Sequence, residues 1–143
     1  MKKIKFLFIA ALMSFSYLGL AQKVCKGTGY DTKFTWRDAK LCKGTGYEAV
    51  ITIRDSKVCK GTGYDALYTI RDNKICKGTG YDVVYTIRDN KICKGTGYDV
   101  VYTIRDNQKI CKGTGYDVVY TIRDGYLNRA ELAATIHAVN YIY

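Results

Sequence analysis

The chain has 143 residues with 23 basic against 13 acidic, a formal charge of +10, six cysteines, one histidine and no proline. That length supports one small domain, and the basic balance favours anionic surfaces without naming one. A lone histidine and evenly repeated acidic groups weigh against an enzyme, whose acid and base need separate, contrasting environments.

Residues 1–21 read as a secretory signal: Lys2, Lys3 and Lys5 form the charged start, Phe6 to Leu18 the apolar run, and Gly19-Leu20-Ala21 a small-x-small cleavage site before Gln22. The apolar run falls short of the ~20 residues of a membrane span, with an uncleaved anchor as the alternative. Cys25 is too far beyond the cut for a lipoprotein. The mature chain is therefore expected to be secreted or periplasmic and to lack a transmembrane segment. Removing three lysines leaves 20 basic against 13 acidic residues, a charge of +7.

From residue 22 to 124 the chain repeats a 17-residue unit, cleanest from Cys76 to Ile92, that starts at Cys25, Cys42, Cys59, Cys76, Cys93 and Cys111. Such a unit buries its apolar face only against its neighbours. Val83, Tyr85 and Ile87 alternate with Val84, Thr86 and Arg88, the period of a strand with one buried face. Thr32, Phe34 and Trp36, then Ala49, Ile51 and Ile53, then Ala66, Tyr68 and Ile70 occupy the same inward positions in earlier units. Thr86 and Arg88 with their counterparts are expected on a solvated outer face.

Gly78-Thr79-Gly80 supplies residues free to take positive φ, and Asp89-Asn90 suits a two-residue hairpin loop, with Asp124-Gly125 the stronger form. Each unit is thus two short strands, about Lys74 to Lys77 and Asp82 to Ile87, and Gln108 adds one residue at a turn of the fifth unit. About twelve antiparallel strands in up-and-down order tend to curl shut, pairing the strand near Val24 with the one near Tyr120. The fold class is mainly β, a closed antiparallel barrel of hairpin repeats, with a β-solenoid of stacked coils as the alternative.

Residues 125–143 change to a helical period and belong to the same domain. Asn128 and Glu131 have the spacing of a capping box, Leu127 and Leu132 that of a hydrophobic staple. Leu132, Ile136, Val139 and Tyr143 form an apolar stripe, and alanines fill much of the rest. Such a helix is buried on several sides, and about twelve strands leave a bore that needs filling. The helix is expected to plug the barrel, or else to cap one end.

Hairpin units of this length closed in a ring with a hydrophobic C-terminal helix resemble the β-flower proteins and, more distantly, the tubby-like barrels, over residues 22–143. The likeness to the tubby-like barrels implies contact with anionic lipid, though no residue here matches their lipid-binding positions.

Six cysteines in an exported chain first suggest disulfides. In a barrel, however, equivalent positions lie two strands apart, ~9.6 Å at ~4.8 Å per strand, beyond the ~7 Å at which Cα atoms can be bridged. Reduced, buried thiols are expected. Close C-x-x-C pairs are missing, so neither a metal nor any other cofactor is expected. Gly-Thr-Gly is followed by a strand rather than a helix, a poor phosphate loop.

The lysine after each cysteine (Lys26, Lys43, Lys60, Lys77, Lys94, Lys112) and the tyrosine after each turn (Tyr30, Tyr47, Tyr64, Tyr81, Tyr98, Tyr116) are expected as rings at one end of the array. The other end carries Arg54, Arg71, Arg88, Arg105 and Arg123 with Lys57, Lys74, Lys91 and Lys109, candidates for binding an anionic surface of lipid headgroups or envelope glycan. Tyrosines would serve as stacking platforms, and the bland reading is a solvated rim. Specific nucleic-acid binding is not expected. The competing function is a structural or adhesive module that contacts itself or another protein. The pattern fixes neither the ligand nor the oligomeric state.

Overall fold

The computed structural model describes residues 21–142; the segment expected to be a signal, apart from Ala21, and Tyr143 lie outside them. Each unit contributes a short strand and a long one: β1 (Lys23–Lys26) and β2 (Thr32–Arg37), β3 (Lys40–Lys43) and β4 (Ala49–Arg54), β5 (Lys57–Lys60) and β6 (Ala66–Arg71), β7 (Lys74–Lys77) and β8 (Val83–Arg88), β9 (Lys91–Lys94) and β10 (Val100–Arg105), β11 (Lys109–Lys112) and β12 (Val118–Arg123). A helix, α1 (Arg129–Tyr141), follows. Each strand pairs antiparallel with its sequence neighbours, and β1 closes the barrel on β12 through Val24 opposite Ile122. The copies therefore lie side by side around an axis, and the stacked solenoid is excluded. Closure also leaves no sheet edge open to another chain.

The hairpin turns follow from residue type. Asp89 and its counterparts Asp38, Asp55, Asp72 and Asp106 take φ between 45° and 57°, a region that Asp and Asn tolerate better than most residues. In the fifth unit Asn107 joins Asp106 at positive φ and Gln108 N–H donates to the Arg105 carbonyl at 3.1 Å, so the extra residue is absorbed in the turn.

The alternation read from the sequence holds only over the second half of each long strand. Ile75 faces Tyr85, but Cys76 faces Val83, so the strand bulges between them. Val84 packs into the inner cluster with Tyr85 and Ile87. Val83, opposite Cys76, joins the outer side, and Thr32, Ala49 and Ala66 do likewise opposite Cys25, Cys42 and Cys59. A bulge in every unit adds local twist, which helps twelve strands of this length bend into a ring.

Inside the barrel, Val24, Leu41, Val58, Ile75, Ile92 and Ile110, the residue before each cysteine, are at most 1% exposed. They pack with Phe34, Trp36, Ile51 and the buried Ala134, Ile136 and Ala138 of α1. The helix plugs the bore. Its capping box is formed as the spacing indicated, with Glu131 N–H donating to Asn128 Oδ1 at 2.8 Å and Asn128 N–H to Glu131 Oε1 at 2.9 Å. Leu127 and Leu132 both pack onto the core.

The plug is not centred. Its nearest strands are β4 and β5, and on that flank Trp36 Nε1–H donates to the Thr135 hydroxyl at 3.0 Å in full burial. The inner position filled by Phe34 and Ile51 in the first two units holds Tyr68, Tyr85, Tyr102 and Tyr120 in the others. Two cavities of ≈ 410 and ≈ 480 Å³ open on the opposite flank, lined from β8 to β12 and from β10 round to β1.

Candidate functional site

The outer wall differs most from the sequence reading. Thr69, Thr86 and their counterparts are not solvated: all six lie at or below 7% exposure. Each donates its hydroxyl to a glycine carbonyl of the following Lys-Gly-Thr-Gly-Tyr loop, Thr86 to Gly95 at 2.6 Å and Thr69 to Gly78 at 2.7 Å. The arginine two residues on grips the same loop, with Arg88 Nη2 donating to the Thr96 carbonyl at 2.7 Å and Nε to the Gly97 carbonyl at 3.3 Å. The loop therefore does not project from the barrel end; it folds back as a flap over the outer face of its own short strand. Gly95 at φ 57° makes the reversal, in a conformation that costs an L-residue roughly 1–2 kcal/mol.

Beneath the flap sits the cysteine, opposite the gripped threonine. All six cysteines are unpaired and buried, at 2% exposure or less, and the burial agrees with the expectation. Cys25 Sγ lies 3.7 Å from the Thr32 hydroxyl, and among the described residues no group of three or more His, Cys, Asp or Glu side chains could hold a metal.

The flap carries its tyrosine to the arginine of the preceding unit. Arg37, Arg54, Arg71, Arg88 and Arg105 stack on Tyr47, Tyr64, Tyr81, Tyr98 and Tyr116 at 3.9–4.2 Å from ring centroid to guanidinium. Arg123 closes the ring on Tyr30 at 4.0 Å, with Thr121 donating to the Gly27 carbonyl at 2.6 Å. Tyrosines and arginines expected at opposite ends thus meet on the side wall. The six tyrosines remain 79–83% exposed.

These contacts divide the candidate residues. Arg54, Arg71, Arg88, Arg105 and Arg123 are half-buried and engaged with flap carbonyls and rings, and Arg37, which the candidate set omitted, does the same in the first unit. Lys57, Lys74, Lys91 and Lys109 are exposed beside them, Lys57 directly opposite Arg54 and Lys74 opposite Arg71. Lys109 approaches Asp106 at 3.8 Å, whereas no carboxylate lies within ion-pair distance of Lys57, Lys74 or Lys91 among the described residues. Arg105, Lys109, Tyr116 and Asn90 together line a groove of ≈ 410 Å³ between two units. The repeat places an arginine, a turn lysine and a tyrosine between other neighbouring units around the wall, with Asn73, Ser56 or Ala39 where Asn90 stands.

Within the bore, His137 Nδ1 lies 2.7 Å from the Tyr68 hydroxyl, and the His137 ring 5.0 Å from that of Tyr141. Burial pushes the imidazole below its usual range and raises the Tyr68 phenol to about 12, the neighbouring Tyr141 and Tyr85 adding to the latter. Both groups are neutral near pH 7, and the imidazole tautomer sets which of them donates. No described helix is long and apolar enough to cross a membrane.

A family model described as the 6-fold beta flower protein matches residues 24–141. No curated protein and no solved structure matches the chain. The match spans the ring, apart from Lys23 of β1, and the whole of its helical plug, the two features on which the resemblance was drawn, and the chain belongs to the 6-fold beta flower family.

Proposed function

We propose that this exported, non-enzymatic domain binds acidic glycan of the cell envelope through the grooves of its outer wall. The observation that carries the reading is the array of six exposed tyrosines, each backed by an arginine and standing beside a turn lysine. Sugar rings stack on aromatic faces, lysines outside ion pairs meet carboxylate or sulfate groups, and six weak sites on one body gain avidity from a polymer that spans several of them. The arginines hold the tyrosine platforms and contribute field rather than direct contact.

The side-wall position favours a flexible polymer over a bilayer, because a flat membrane touches a cylinder at one end or along one line and reaches few of the grooves at once. Titration with dextran sulfate, with neutral dextran and anionic vesicles in parallel, tests this. Binding to dextran sulfate that falls steeply with salt and weakens in the Lys57→Gln, Lys74→Gln, Lys91→Gln triple variant supports the glycan reading. Binding to vesicles alone would assign the basic wall to lipid headgroups. Binding to neither at low salt would leave a structural module that contacts protein.

A further inference from the structure

The lysine after each cysteine stands directly opposite an inward-facing residue: Lys26 opposite Tyr120, Lys112 opposite Tyr102, Lys94 opposite Tyr85. Since the cysteines face the flaps, these lysines face the bore, and they ring the mouth at which α1 ends. Lysines near a helix C-terminus have a structural use, since that end carries roughly half a negative charge. Six lysines exceed that charge many times over, and neither Lys26 nor Lys112 has a carboxylate within ion-pair distance among the described residues. Each lysine is followed five residues on by an acidic residue whose carbonyl accepts from the lysine backbone N–H, Asp31 beside Lys26 and Asp117 beside Lys112, so the mouth is balanced as a whole while the Lys26 and Lys112 ammonium groups stay outside ion pairs.

Behind Lys26 and Lys112 opens the cavity of ≈ 480 Å³ left by the lean of α1 toward β4 and β5. Its volume lies within the ~300–1,000 Å³ of small-molecule sites. The wall is apolar, with Val101, Val119 and Val139, and one polar pair crosses it: the Tyr102 hydroxyl donates to Asn140 Oδ1 at 3.2 Å. That bond leaves the Asn140 amide nitrogen as a further donor. Two cations at the rim and a valine-lined recess behind them define a charged head and a greasy tail.

We propose that this cavity binds a small amphiphilic monoanion of the medium-chain carboxylate class, its tail among Val101, Val119 and Val139 and its carboxylate between Lys26 and Lys112. The site shares only Val118 with the outer-wall groove and none of the charged or aromatic residues on which the glycan reading rests, so each reading stands or falls by itself. Calorimetric titration with decanoate below its micellar concentration, at low salt, tests it, with decanol and acetate as the tail-only and head-only comparisons. Saturable decanoate binding is expected, with both comparators much weaker. The exposed pair is replaced in K26Q/K112Q, which should weaken binding ~tenfold or more, the usual size of a lost charge-assisted contact, while Lys74→Gln on the outer wall leaves it unchanged. Val139→Trp fills the recess and should abolish binding, with circular dichroism confirming an intact fold. Absence of saturable decanoate binding, equal binding by K26Q/K112Q, or undiminished binding by a folded Val139→Trp would each overturn the assignment.

Discussion

The two flanks of the barrel share one backbone plan and differ in what fills them. Along β2 to β5 the inner positions are Phe34, Trp36, Leu41 and Ile51, and the helix lies against them with an indole-to-hydroxyl hydrogen bond in full burial. Along β10 to β12 they are Tyr102, Ile104, Ile110 and Tyr120, and the helix stands off behind cavities. The flap and its arginine–tyrosine contact do not distinguish the flanks, and the turns do so in backbone only by the Gln108 insertion between β10 and β11, because outer wall and turns are set within and between adjacent units. A six-fold ring cannot present six equal faces to one helix. The first units differ from the rest at the inner positions, and these are where the single helix docks.

Substitutions at matched sites break this contrast most sharply. Trp36→Ala removes the largest buried side chain and leaves the Thr135 hydroxyl without its partner, and should cost ~3–5 kcal/mol in a urea unfolding experiment. On the helix itself, enlarging fully buried Ala138 to Leu should cost about 1–3 kcal/mol through overpacking, whereas Val139→Leu, beside the cavity, should be near neutral. Equal costs at the two positions would mean that the helix is held as tightly on its far side.

The next effect lies on the outer wall, where both flanks should respond alike. Arg88→Ala loses a cation-ring contact and two hydrogen bonds to flap carbonyls; screened by solvent, these contribute roughly 1–2 kcal/mol together. Loosening the flap uncovers Cys93, so its modification by a thiol reagent should accelerate while the other five thiols keep their slow rates. Arg88→Lys should not restore protection, because an ammonium lacks the planar fork that reaches both carbonyls. Arg54→Ala should act on Cys59 with similar size. Unfolded, unreduced protein should titrate for six thiols.

Much of the plan was legible before the coordinates, for identifiable reasons. The repeat length, the Asp-Asn turns and the absence of proline specify hairpins, and the number of strands with a mostly apolar helix specifies a closed, filled ring. The Asn128 and Glu131 cap was readable because capping is local chemistry. The bulge was not, because Val83 and Val84 are identical side chains and nothing in their order says which turns inward. The flap was missed for a related reason. Thr86 and Arg88 look like any solvated strand face, and only the reversal at Gly95 brings a loop from the next hairpin onto them. The available signal was the pairing of arginine with the tyrosine of the next unit, ten residues on, or eleven where Gln108 is inserted.

A smaller effect isolates the flap backbone from its contacts. Gly95 sits at φ 57° with open space where a Cβ would stand, while Gly97 has no positive φ and meets only the Lys94 carbonyl, at 3.7 Å. Gly95→Ala should therefore destabilise by about 1 kcal/mol through conformation alone, and Gly97→Ala by much less. A reversed order in thermal unfolding would place the reversal elsewhere in the loop.

The smallest effect belongs to the bore and depends on pH. Burial holds the folded His137 imidazole below the 6.5 of an exposed one, so above that value both folded and unfolded chains are neutral there and stability is unaffected. As pH falls through 6.5 the unfolded chain takes up a proton that the folded chain refuses, and stability declines until the folded group also titrates. At the alkaline end the sign follows from Tyr68, whose folded value of about 12 exceeds the ordinary 10.0. Its contribution is fully present below 10 and is lost as pH rises toward 12. His137→Asn, which keeps an acceptor near the Tyr68 hydroxyl, should flatten the unfolding free energy between pH 6.5 and 5, above the range where carboxylates titrate, and leave the alkaline slope unchanged. If wild type were already flat across that window, the imidazole at the helix end would have to be as well solvated as in the unfolded chain, and the Tyr68 contact could not be a closed hydrogen bond inside the barrel.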